Sequence, residues 1–146
     1  MSKAIDIEDI LAQVPLFSEL SRSALRRLAK GTVSRRFAGG DVIVGEGEQA
    51  VAFFFILSGR VEVVIGAEGP SPTVLSTLDS GDFFGEMALL DGYLRSATVR
   101  AVEDTECLEL WRWDFLAELR SNPYIAVQML PVLSRRLRER DARLAT

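Results

Sequence analysis

The chain has 146 residues, 48% of them hydrophobic, with a mean hydropathy of +0.15, which provides core material for one soluble globular domain and argues against two independent ones. Its 17 Lys and Arg against 21 Asp and Glu leave a net charge of −4 and a pI near 4.9, so no summed positive field exists to hold a nucleic acid on this chain. The absence of histidine removes the usual zinc ligands and the commonest general base, so metal-dependent barrel enzymes are poor candidates and neither metal nor cofactor is expected.

The start, Met1-Ser2-Lys3-Ala4, carries no signal-peptide apolar core, and the longest apolar run, 50–57, is too short to span a bilayer. One cysteine, Cys107, cannot form an intrachain disulfide; it reads as an inert buried thiol in a cytoplasmic protein. Residues 5–28 read as helical, with Ile7, Ile10, Leu11 and Val14 at helical spacing, a break at Pro15-Leu16-Phe17, and Ser21 as the cap of a second helix carrying Leu25 and Leu28. From Gly31 to Trp113, glycines punctuate short β-rich runs: 32–37, 53–57, 61–65, 73–78, 97–102 and 106–111. Gly66 to Pro72 reads as a solvated hairpin tip, and Phe53-Phe54-Phe55 as core packing.

Many short strands at this spacing predict a mainly β fold with flanking helices, an antiparallel β-roll or jelly roll of about eight strands. The organisation is a single domain over 1–146, with N-terminal helices over 1–30, a roll over 31–113 and C-terminal helices over 114–146. After Trp113 a helix is expected over 114–120, then Asn122-Pro123 opens a long tract to Leu144. Pro131, inside that tract, is expected to kink or restart it. The tract has two apolar rows, Ile125, Met129 and Val132, and Ala126, Leu130, Leu133 and Leu137, more than one surface can cover. Arg135, Arg136, Arg138, Arg140 and Arg143 read as its solvated face.

One turn has an order that calls for a ligand: Phe83-Phe84-Gly85-Glu86-Met87-Ala88-Leu89-Leu90, then Arg95-Ser96-Ala97-Thr98-Val99. Gly85 lets the backbone approach a ligand closely, and the stretch beginning at Glu86 would offer N–H groups and a positive dipole end to a small anion. Arg95 can grip the same anion with its planar fork, and Ser96 adds a hydroxyl donor. Glu86 is an acceptor and suits a neighbouring hydroxyl such as a ribose 2′-OH.

Gly85 to Leu90 followed by Arg95 to Val99 resembles the phosphate-binding cassette of cyclic-nucleotide-binding domains, and the similarity extends to Gly39-Gly40-Asp41-Val42-Ile43, Gly45-Glu46-Gly47-Glu48 and 56–61. The resemblance implies a β-roll that holds a cyclic phosphate on Arg95 and Ser96, with backbone N–H help near Ala88, and the ribose hydroxyl on Glu86. The resemblance also implies that Val63, Phe84, Met87 and Ala97 wall the pocket beside a close turn at Gly85. It further implies a sensor without catalytic activity, cAMP favoured over cGMP because Ser96 stands where cGMP-binding relatives often carry threonine, and a C-terminal helix that passes the signal to a second copy or an effector. Leu94 departs from the proline that often precedes the cassette arginine. The competing reading is a degenerate structural or interaction β-roll that no longer binds nucleotide.

Overall fold

The computed structural model describes residues 6–144, and the side chains of residues 6–141. The Ile5 helix start and the Arg143 side-chain assignment lie outside these. The chain divides into two compact units, a helical one comprising 6–31 and 114–144 and a β one comprising Thr32–Trp113.

In the helical unit, α1 (Ile7–Ala12) starts where Asp6 accepts from the N–H groups of Glu8 and Asp9, and α2 (Arg22–Lys30) starts where Ser21 accepts from Ala24 N–H at 3.2 Å. Between them Pro15–Phe17 forms one 3-10 turn. Leu11, Val14, Leu16, Phe17, Leu25 and Leu28 are buried, and the Phe17 ring lies 6.1 Å from that of Phe115.

The β unit is two four-stranded antiparallel sheets, ordered β1-β8-β3-β6 and β2-β7-β4-β5. The strands are β1 (Thr32–Phe37), β2 (Val42–Val44), β3 (Ala52–Ser58), β4 (Arg60–Ile65), β5 (Thr73–Asp79), β6 (Phe83–Phe84), β7 (Thr98–Ala101) and β8 (Thr105–Trp111). The fold class is therefore the expected mainly β roll with flanking helices. Its inner cluster includes Phe37, Val44, Ala52, Phe54, Ile56, Val61, Val99, Ala101 and Cys107, every second residue of β3 pointing inward as strand periodicity requires. Phe53 and Phe55 are buried as well, so β3 has no wet face. Between β6 and β7 lies a four-residue helix, α3 (Ala88–Asp91).

The chain then continues through α4 (Arg112–Ser121) into α5 (Tyr124–Leu144). The expected restart at Pro131 does not occur, since α5 is helical through it. Proline's fixed φ suits a helix, and its missing N–H removes a single bond on an exposed stretch. Ile125, Met129 and Val132 are buried, whereas Leu130 and Leu137 are exposed, so the two apolar rows have different fates. Within the helical unit α5 meets the N-terminal segment: Ser21 N–H donates to Gln128 at 3.4 Å, and Arg135 pairs with Glu19 at 3.0 Å.

Candidate functional site

The β3–β6 ladder sets the site's floor. Phe84 pairs with Phe54 across it, and the two rings stack at 5.0 Å with a 15° interplanar angle. Immediately after β6 the backbone turns at Gly85, whose φ of +81° is the left-handed region that favours glycine. Tight turns follow, with Ala88 N–H donating to Gly85 O at 3.1 Å and Leu89 N–H to Glu86 O at 3.2 Å, so α3 begins at Ala88 and the Ala88 N–H is already engaged. Gly92, at φ +63°, ends α3, and its N–H donates to Ala88 O at 3.0 Å.

The segment after Gly92 is clamped to the loop leading into β3. Ala50 N–H donates to Tyr93 O at 3.0 Å, Arg95 N–H to Glu48 O at 2.8 Å, and Gly47 N–H to Arg95 O at 2.9 Å. Thr98, buried at the start of β7, accepts from Glu46 N–H at 3.0 Å. The Gly45-Glu46-Gly47-Glu48 block therefore has a structural task, which is to hold the segment that carries Arg95, between α3 and β7, in place.

Arg95 is half-buried. Its Nη2 donates to Ala52 O at 2.6 Å, and its Nη1 lies so close to Gly85 that a Cβ there would collide with it. Desolvation lowers the Arg95 pKa from its ordinary value, and the Glu48 carboxylate acts in the opposite sense. The group remains a cation at neutral pH, and its hydrogen bond to Ala52 is to a neutral carbonyl. Such a guanidinium gains from an anion that reaches it.

A cavity of about 440 Å³ opens beside it, bordered by every residue singled out from the sequence: Val63, Phe84, Gly85, Glu86, Met87, Ala88, Arg95, Ser96 and Ala97. Ligand cavities commonly run from about 300 to 1,000 Å³. Ala88 and Ala97 are buried, Phe84, Glu86 and Val63 half-buried, and Met87 and Ser96 exposed. The cavity also touches Val44, Ala50, Phe83, Asp91, Tyr93, Leu94 and Val99, which the sequence reading did not assign. Tyr93 and Leu94, exposed apolar side chains in a tight turn, carried a usable signal, because such residues have no packing reason to be large. Val44 and Ala50 did not, since only the pairing of Val44 with Val99 and the bond from Ala50 N–H to Tyr93 O bring them in. Among the described residues no cluster of His, Cys, Asp or Glu is placed to hold a metal, and no helix is long and apolar enough to cross a membrane.

Residues 34–122, from β1 into α4, match the family described as the cyclic nucleotide-binding domain. The cyclic AMP receptor protein of Thermus thermophilus is 38% identical over 130 residues, covering 89% of this chain and 60% of that protein. A cyclic nucleotide-gated potassium channel of Rhizobium etli is 39% identical over 117 residues, covering 80% of this chain and 31% of the channel. Among solved structures, the N-terminal domain of a transcriptional regulator from Streptomyces coelicolor A3(2) matches with a TM-score of 0.84 at 26% identity, over 93% of this chain and 95% of that one. The chain thus spans 60% of the first of these curated relatives and 31% of the second. With the family match running through both sheets and the whole Gly85–Arg95 turn, the chain belongs to the cyclic nucleotide-binding domain family.

Proposed function

We propose that this chain binds a cyclic nucleotide in the cavity beside Arg95, with cAMP favoured over cGMP, and acts as a cytoplasmic sensor that passes occupancy through its C-terminal helices. The observation that carries the reading is the half-buried Arg95 guanidinium folded over Gly85, in the same cavity as Glu86 and Ser96. The phosphate takes two charge-assisted bonds from Arg95 and a third from Ser96, while Glu86 accepts from the ribose hydroxyl. Phe84, Val63, Met87 and Ala97 supply the apolar walls for ribose and base.

No bond is made or broken in this account, and the nucleotide is a ligand, not a cofactor. The preference for cAMP draws on Ser96, and on the relative named for cyclic AMP. The occupant of the exposed row on α5 is a second copy or an effector, because Leu130 and Leu137 are large apolar side chains left to solvent.

Calorimetric titration of the full chain with cAMP, cGMP and 5′-AMP tests the reading. Expected is saturable one-site binding, tightest for cAMP and weakest for 5′-AMP, whose second negative charge finds no second cation in the cassette. Absence of heat and of competition with both cyclic nucleotides would instead favour the degenerate β-roll.

A further inference from the structure

Two arginines bracket α3 in the same manner. Arg95 covers Gly85 at one end, and Arg112 covers Gly92 at the other, where a Cβ would lie 3.2 Å from Arg112 Nε and 3.3 Å from its Cδ. Both are tied to consecutive peptide units before and at the start of β3: Arg112 N–H donates to Val51 O at 2.8 Å, and Arg95 Nη2 donates to Ala52 O. Arg112 Nη2 also donates to Leu90 O at 3.1 Å, which places a cation on the carbonyl end of α3.

This placement is not explained by the helix to which Arg112 belongs. Arg112 is the first residue of α4, where the positive end of the helix dipole disfavours a cation. Its Nε–H is shut off from solvent and meets no acceptor among the described residues, a further cost. Flanking it, Trp111 and Trp113 stack at 4.6 Å, which fixes the backbone from which Arg112 reaches back. A helix of four residues cannot sustain itself, because nucleation costs more than so few bonds return. Its orientation is therefore set by the burial of Ala88 and Leu89 and by what holds its ends.

We propose that Arg112 is a positioning residue for the ligand cavity: it pins the C-terminal end of α3, keeps Glu86 and Gly85 in register with Arg95, and ties cassette occupancy to the first turn of α4. This rests on the reading of the cavity as a cyclic-nucleotide site. A phosphate that draws Arg95 away from Ala52 alters the peptide next to the one that holds Arg112, so the two arginines respond together.

The test uses the full chain as wild type, Arg112→Lys, Arg112→Gln and Arg112→Ala. Loss of a charged hydrogen bond corresponds to roughly a tenfold change in an equilibrium or rate. Expected is cAMP release faster by roughly that factor in Arg112→Ala and Arg112→Gln, with Arg112→Lys recovering most of it. Amide exchange without ligand should quicken across 88–92 in the same two variants while β1 and β8 keep their protection. Saturating cAMP should slow exchange across 113–121 in wild type and in Arg112→Lys, but not in Arg112→Ala, a difference that packing alone does not produce. Wild-type release and exchange in Arg112→Ala would overturn the proposal, as would an equal loss in all three variants spread over the strands. Where Arg112→Ala does not fold, Arg112→Gln takes its place. If wild type binds neither cyclic nucleotide, the cavity reading fails, and the ligand-free exchange of 88–92 still decides whether Arg112 positions α3.

Discussion

Arg95 and Gly85 are mutually dependent: the guanidinium occupies the space a side chain at position 85 would fill, and Gly85 supplies the φ of +81° that folds the turn beneath it. Gly85→Ala should therefore fail twice, through backbone strain of about 1–2 kcal/mol and through displacement of Arg95. Thermal unfolding and a cAMP titration should both register it. A variant that loses stability but binds as wild type would separate Gly85 from the ligand site.

Arg95→Ala should abolish most cyclic-nucleotide binding, and Arg95→Lys should recover little, since an ammonium cannot reproduce the planar fork that reaches two phosphate oxygens. Calorimetry on both variants checks this. Either one binding at wild-type affinity would place the phosphate elsewhere.

Glu86 is assigned to the ribose, so its loss should discriminate between ligands. Glu86→Ala should weaken cAMP by roughly tenfold or more while leaving 2′-deoxy-cAMP almost unchanged, because that ligand has no 2′-hydroxyl for the carboxylate to accept from. Equal losses for both would remove Glu86 from the role.

Much of this was legible in the sequence because glycine punctuation carries real geometry. Gly40, Gly47, Gly59, Gly66, Gly81, Gly85 and Gly92 all adopt positive φ, and β1 and the hairpin tip at Gly66 to Pro72 fall where the composition placed them. What escaped was short or non-local. The three residues of β2 and two of β6 are too few for alternation to show, and each exists because a partner strand, β7 or β3, pairs with it. Arg112 has nothing in its local sequence to set it apart; only folding brings it to Leu90, 22 positions away. The cassette's residue types suggested an anion seat unaided, with Arg95 and Ser96 as its donors and Glu86 as an acceptor for a hydroxyl, whereas the cyclic phosphate and the pocket walls came from the family resemblance.

Cys107 faces the inside of the roll, and burial raises its thiol pKa from 9.0 to about 12, with the Glu109 carboxylate adding to the shift. The native thiol should therefore resist Ellman's reagent at pH 8 and react promptly once the chain is unfolded. The folded pKa lies above the unfolded one, so this group's contribution to stability is full below pH 9.0 and is lost as the pH rises toward 12. Cys107→Val should lose less stability than wild type across that window in denaturant titrations. Rapid native labelling would contradict the burial.

The two apolar rows of α5 predict opposite consequences for the same kind of substitution. Ile125, Met129 and Val132 are 0%, 2% and 5% exposed, whereas Leu130 and Leu137 are 58% and 63% exposed. A charge placed in the first row is buried without a partner, so Met129→Asp should unfold the helical unit or lower its melting temperature sharply. A charge placed in the second row meets water in the isolated chain and harms only what docks there. Leu130→Asp with Leu137→Asp should keep the wild-type melting temperature and cAMP affinity, yet shift sedimentation toward the monomer if a second copy is the partner. An unchanged sedimentation profile in a wild type that self-associates would move the contact off α5. In a wild type that is monomeric throughout, it would leave an effector as the occupant of the Leu130–Leu137 row.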